Sequence, residues 1–319
     1  MFAAVRRLSP FLLAPALGMA MVMPSGAQDD DAIDGLRLPG ISSYATPHSD
    51  TQLAVADGNV TLSAHLTDDG DDITRGMVWR VFRPEPDADG KLPLIASAHG
   101  GTAVFELEPG SYLVHATYGR AGATKRIAVG RQPQRESFVL DAGGLKLDAV
   151  SVGGARIPPA KLRFSIYEGD GDSLGERPLI LPDVQPNTVT RLNSGTYHIV
   201  STYGSVNAII RSDIRVEAGK LTEATVEHHA AEVTLKLVRE AGGEAIADTS
   251  WSVLNEAGEQ VKESVGAFAP MVLADGDYTV IAKNRDRIYQ TDFKVEPGRN
   301  REIEVVASEA SAVDPEAAD

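Results

Sequence analysis

The residues with the chemistry most worth testing lie in short polar clusters. "HHAAE" (228–232) contains His229-x-x-Glu232, the first two ligands of a zinc-hydrolase pattern. A catalytic zinc needs a third protein ligand and an open position, and no histidine follows His229. The segment therefore reads as a linker or strand end. "DDGDD" (68–72), "PDADGK" (86–91) and "EGDGDS" (168–173) are acidic and glycine-bearing, and Asp87-x-Asp89-Gly90 has the spacing of the middle of a calcium loop. The acid that should close a twelve-residue loop is missing, so solvated β-turns are expected, and a calcium site shared between loops stays open. "SAHGGTA" (97–103) has the glycines of an oxyanion loop, but no G-x-S-x-G elbow supplies a nucleophile. "GRAGATK" (119–125) lacks the Gly-Lys-Ser/Thr ending of a phosphate loop and reads as a hairpin tip. No complete nucleophile, metal or acid–base set emerges. The expectation is a non-enzyme with no cofactor and no metal.

The elements that would position these residues are written three times. "EPGSYLVHATYG" (108–119), "NSGTYHIVSTYG" (193–204) and "ADGDYTVIAKNR" (274–285) share a turn, a Gly-x-Tyr and an alternating strand. The first two copies align without a gap at one offset, from Leu62 and Leu147 to Gly119 and Gly204. The shared pairs include Ala64/Ala149, Leu107/Leu192, Gly110/Gly195, Tyr112/Tyr197 and Tyr118/Tyr203, with Trp79 meeting Phe164. The third copy is shorter but keeps Trp251, Gly276 and Tyr278. A period of roughly 80 residues suits a small domain rather than a solenoid repeat. His115 and His198 occupy different places in their copies, so no shared role follows.

Within each copy the apolar residues alternate. Tyr112, Val114, Ala116 and Tyr118 share one face, as do Val233, Leu235 and Leu237. Period two bounded by Gly, Pro, Asn and Asp specifies half-buried strands joined by turns. The predicted class is all-β: three tandem Ig-like or prealbumin-like Greek-key β-sandwiches of about seven strands each. Gly110, Gly195 and Gly276 then turn the chain, with a positive φ where one is needed. Tyr112, Tyr197 and Tyr278 open the next strand, ring inward and hydroxyl returning to an upstream backbone group. Trp79, Phe164 and Trp251 are the core plugs. Tyr118-Gly119 and Tyr203-Gly204 end one strand in two copies, where the third has Lys283-Asn284. Those two tyrosines either cap the core or face a ligand at the loop-bearing end.

The termini differ from the repeats. Arg6 and Arg7, the apolar run 11–23 and the small residues Ser25 and Ala27 form a secretory signal, read as 1–27. An acidic leader or linker covers 28–56, followed by sandwiches at 57–142, 143–229 and 230–307 and an acidic tail at 308–319, expected to be disordered. No later run reaches membrane-spanning length. There is no cysteine, hence no disulfide and no lipoprotein anchor. Losing Arg6 and Arg7 with the signal takes the 30 basic residues to 28 against 45 acidic, a net −17. That balance argues against nucleic acid and anionic lipid as partners.

"LEPGSYLV" with its flanking strands resembles the prealbumin-like sandwiches of bacterial envelope proteins, including carboxypeptidase-regulatory-like domains and collagen-adhesin B-type repeats. The resemblance spans roughly 57–307 and rests on a short corner motif. It implies a periplasmic or secreted structural or interaction protein whose partner is another cell-envelope protein, or alternatively a polysaccharide. Adhesin repeats of this type often carry an internal lysine–asparagine isopeptide bond. Lys146 and Lys236 lie on the corresponding early strand, but the first copy has Ser63 there and no common asparagine closes the last strand.

Overall fold

In a computed structural model the described residues are 59–170, 175–308 and 311–313. The segments read from sequence as an export signal and an acidic leader, 1–56, lie outside them. Strands dominate, and the helical content of the described residues is one 3₁₀ turn, Pro159–Lys161.

The first sandwich contains β1 (Asn59–His65), β2 (Met77–Phe82), β3 (Leu94–Gly100), β4 (Ala103–Glu106), β5 (Gly110–Tyr118), β6 (Ala121–Val129) and β7 (Gln134–Val139). The second contains β8 (Ala142–Ser151), β9 (Ala155–Arg156), β10 (Leu162–Glu168), β11 (Leu179–Val184), β12 (Val189–Asn193), β13 (Gly195–Tyr203), β14 (Ile209–Val216) and β15 (Leu221–His228). The third contains β16 (Ala230–Val238), β17 (Thr249–Asn255), β18 (Gln260–Val265), β19 (Phe268–Ala274), β20 (Gly276–Asn284), β21 (Arg287–Val295), β22 (Arg301–Val306) and β23 (Ala312–Val313).

One topology recurs. The sheets run β4-β1-β7 and β3-β2-β5-β6, then β12-β8-β15 and β11-β10-β13-β14, then β19-β16-β22 and β18-β17-β20-β21-β23. In each sandwich the first strand pairs in parallel with the strand that closes the repeat, β1 with β7, β8 with β15 and β16 with β22, the third having only the two-residue β23 beyond it. This order differs from the ABED/CFG order of antibody constant domains. The alternation explains the layers. Val60, Leu62 and Ala64 of β1 face inward with Val114 and Ala116 of β5, and all five are at most 1% exposed. Each sandwich encloses its own core around Trp79, Phe164 or Trp251, and truncating such a plug costs about 3–5 kcal/mol.

The corner tyrosines close four-residue loops. Tyr112 donates to Glu108 O at 3.0 Å, Tyr197 to Asn193 O at 2.9 Å and Tyr278 to Ala274 O at 3.0 Å. Gly195 and Gly276 do so at φ 154° and 146°, whereas Gly110 turns without a positive φ. Two further details depart from the sequence reading. The strand register places Asn284, not Lys283, opposite Thr249, where Tyr118 faces Met77 and Tyr203 faces Leu162. The third copy's counterpart of Tyr-Gly is therefore Asn284-Arg285. The tail also is not wholly without structure, because Ala312–Val313 adds to the β21 edge opposite Tyr289 and Ile288. An open strand edge offers unpaired backbone groups that such a segment can satisfy.

Candidate functional site

The clusters that suggested chemistry are occupied by structural work. Asp87 Oδ1 accepts from the amides of Asp89 at 3.0 Å and Lys91 at 2.9 Å, closing the turn on itself. In the 68–72 loop, His65 Nδ1 lies 2.8 Å from Gly70 O and its Nε2 lies 3.5 Å from Asp72. The 168–173 loop runs partly outside the described residues. Among the described residues no group of three or more His, Cys, Asp or Glu could hold a metal ion.

The glycines of "SAHGGTA" serve the tryptophan. Trp79 Nε1 donates to Gly101 O at 2.7 Å, and a Cβ on Gly101 would lie 2.4 Å from the Thr74 carbonyl group. Trp251 makes the same bond to Gly266 O at 2.9 Å. A buried indole N–H needs an acceptor. The second copy, with Phe164, has no such requirement, and its β11–β12 connection contains no glycine.

His115 is buried, with Nδ1 2.8 Å from Thr124 Oγ1, and burial pushes its imidazole down to about 4. His198 instead pairs with Asp213 at 2.7 Å. The two amines of the isopeptide comparison point to the outer face. Lys146 pairs with Glu223 at 2.8 Å, and Lys236 with Glu302 at 2.6 Å and Glu304 at 3.0 Å.

What the structure does assemble is a pair of joints between sandwiches, and both strand-end tyrosines lie in them. The connections are short: Leu140-Asp141 between β7 and β8, and His229 alone between β15 and β16. At the first joint the Arg191 guanidinium lies 5.6 Å over the Tyr118 ring, and Arg120 N donates to Arg191 O at 3.0 Å. Asn193 mimics a strand partner. Its side chain accepts from Gly122 N and donates to Gly122 O, both at 3.1 Å, and also donates to Leu140 O at 2.6 Å. Ser194 N adds a bond to Asp141 O at 2.6 Å.

At the second joint Tyr203 is 4% exposed, and its hydroxyl donates to Glu232 Oε1 at 3.0 Å. Burial, then that carboxylate, raises the phenol's pKa. Glu232 also takes Lys161 Nζ at 2.5 Å, and this bond holds its carboxyl below the usual range. Asp275 N donates to His229 O at 2.9 Å, matching the Ser194–Asp141 bond. The asparagine bridge recurs with its side chain supplied from the other sandwich. Asn207, from the β13–β14 loop, accepts from Ala274 N at 3.0 Å and donates to the Tyr278 hydroxyl at 2.8 Å. Ala274 holds the place of Asn193, four residues before a corner tyrosine.

Both strand-end glycines are required by close approach at positive φ. A Cβ on Gly119 (φ 65°) would sit 2.9 Å from Arg191 Cβ, and one on Gly204 (φ 77°) 2.7 Å from Val272 Cβ. Val272 and Ala230 of the third sandwich are buried in the core of the second, so the hydrophobic interior continues across this joint. Neither asparagine stood out in the sequence. Both lie where the copies differ, and a search for shared residues passes over them.

The fold and its joints define a tandem β-sandwich chain. Residues 232–307, the third sandwich from Glu232 onward, match the model of the Rhizobiales growth-associated tandem repeat domain. No curated protein is similar in sequence. Among solved structures, the Bacillus anthracis TIE protein is 17% identical with a TM-score of 0.24, over 79% of this chain and 50% of that one. A streptococcal ancillary pilin is 12% identical with a TM-score of 0.30, over 79% and 99%. The minor pilin GBS52 of Streptococcus agalactiae is 13% identical with a TM-score of 0.28, over 54% and 95%. This chain thus spans half the length of the first and nearly all of the other two. Scores at this level carry no functional inference.

Proposed function

We propose that this chain is an exported, non-catalytic structural protein of the bacterial envelope that holds its sandwiches in a fixed series and presents their surfaces to another envelope protein. The observation that carries this reading is the construction of the joints. Connections of one or two residues, a core shared across the second joint and reciprocal asparagine bridges restrict the independent rotation that separate domains otherwise show. A rigid series suits spacing and multivalent contact, because effective concentration depends on fixed geometry. The parallel pairing of first and closing strands, with sheet orders β4-β1-β7 and β3-β2-β5-β6, supports the prealbumin-like subclass of sandwich. The signal-like start supports export to the periplasm or beyond.

The test combines rigidity with partner capture. NMR alignment tensors measured separately for the three sandwiches should coincide, and crosslinking in intact cells should trap a reproducible envelope protein. Independent tensors would remove the rigid-series reading. Reproducible capture of glycan alone would replace the protein partner with a polysaccharide.

A further inference from the structure

The second sandwich places a polar pair where its siblings place aliphatic residues. Ser201 stands opposite Phe164 in the sheet, where Ala116 and Ala282 stand opposite Trp79 and Trp251. His228 lies at the end of β15, two residues beyond Val226, which pairs with Ala149. The corresponding place is Leu140 in the first sandwich, where Phe138 pairs with Ala64, and Ala307 in the third, where Val305 pairs with Leu237. Both members are 1% exposed, with Ser201 Oγ 2.8 Å from His228 Nε2. Beside them Ser151 Oγ is buried with no hydrogen-bond partner among the described residues. A half-satisfied polar cluster in a core costs stability that an alanine–leucine pair would not.

This cluster sits at the second joint. The His228 ring meets the Tyr203 ring edge-on at 5.8 Å, and Tyr203 holds Glu232 of the third sandwich. The next residue, His229, is the whole connection, and its carbonyl takes the Asp275 amide. Ser151 lies against the β21–β22 turn, 3.6 Å from where a Cβ on Gly298 would be. We propose that the buried Ser201–His228 pair makes this joint acid-sensitive, so that proton uptake by the imidazole releases the third sandwich from the second while the first joint stays closed.

The titratable groups around His228 do not offer its cation a partner. Tyr203 on β13 is neutral, and the Glu232 behind it on β16 is committed to Lys161 from the turn before β10. On its own strand and connection, Glu227 lies 3.5 Å from His229. Glu296 and Arg299 of the β21–β22 turn pair with each other at 2.6 Å; on β8, Ser151 stands opposite His228, Asp148 accepts from the Asn187 side chain at 3.0 Å and Lys146 pairs with Glu223. Relief for a buried imidazolium therefore comes from moving the end of β15 into water, which drags His229 and loosens Tyr203.

The sign follows from burial, which holds this imidazole near 4 against an ordinary 6.5. The joint gains its full stability above 6.5 and loses it progressively as pH falls toward 4. Between pH 7 and 5 the open population rises on the order of twenty-fold.

Hydrogen-exchange protection factors, corrected for intrinsic rates, test this on the intact protein. From pH 7 to 5, protection at the Ala274 and Asp275 amides should fall about twenty-fold, while Arg120 and Ser194 at the first joint and the β13 amides hold. Ser201→Ala with His228→Leu, which restores the first sandwich's pair, should abolish the fall. His228→Gln serves if that double variant does not fold. An unchanged wild-type joint, a fall that includes the β13 amides, or a fall that persists in the variants would overturn the proposal.

Discussion

Gly204→Ala is the sharpest probe of whether the second joint is a packed contact in solution. The substitution imposes two separable costs. A side chain in the left-handed region at φ 77° costs about 1–2 kcal/mol within the second sandwich. The new methyl would also lie 2.7 Å from Val272 Cβ and 2.8 Å from its Cγ2, an overlap worth about 1–3 kcal/mol if the third sandwich cannot retreat. Val272→Gly takes away the Cβ as well as the Cγ2 and with them that second cost, so a double-mutant cycle isolates it. The expected coupling is about 1–3 kcal/mol, favourable in the double variant. The two tryptophans make the assay simple, since Trp79 reports the first sandwich and Trp251 the third. With Trp79→Phe as background, urea unfolding followed by fluorescence reads the third sandwich alone. Gly204→Ala should lower its midpoint, and by less in the Val272→Gly background. A midpoint unmoved by Gly204→Ala, together with zero coupling, would refute the argument that the two sandwiches are held face to face.

Asn193→Ala removes three bonds across the first joint and should cost about 2–3 kcal/mol, visible as lost exchange protection at the Gly122 amide. Tyr278→Phe should destabilise more than Tyr112→Phe by about 1 kcal/mol in urea titrations. Its hydroxyl serves Asn207 as well as the corner. Lys146 and Lys236 are engaged by outward carboxylates, so intact-mass spectrometry should return the full sum of the residues with no loss from amide formation. A deficit would show a crosslink.

The sandwich class was legible because its signal is local and repeated. Alternation over β5, β13 and β20 and the corner spacing of Tyr112, Tyr197 and Tyr278 need no knowledge of distant residues. The joints were not legible, because they are made by what the copies do not share. Asn193 and Asn207 bridge different joints from opposite sides, so neither produces a repeated letter. Tyr118 and Tyr203 were noticed as a difference from the third copy, yet sequence alone left core and ligand open. Arg191 and Glu232 decide their surroundings, and both lie many residues downstream. The Ser201–His228 pair was likewise hidden, since a lone core histidine reads the same wherever it falls.

The parallel pairing of first and closing strands has a mechanical consequence. In β1–β7, β8–β15 and β16–β22 the chain enters a sandwich at one end of the pair and leaves at the other. Tension along the backbone then pulls the two strands lengthwise past each other, loading their hydrogen bonds together instead of one at a time. An antiparallel pair of terminal strands would open like a zipper under the same pull. A chain wired in this way resists extension through its topology, without a covalent crosslink.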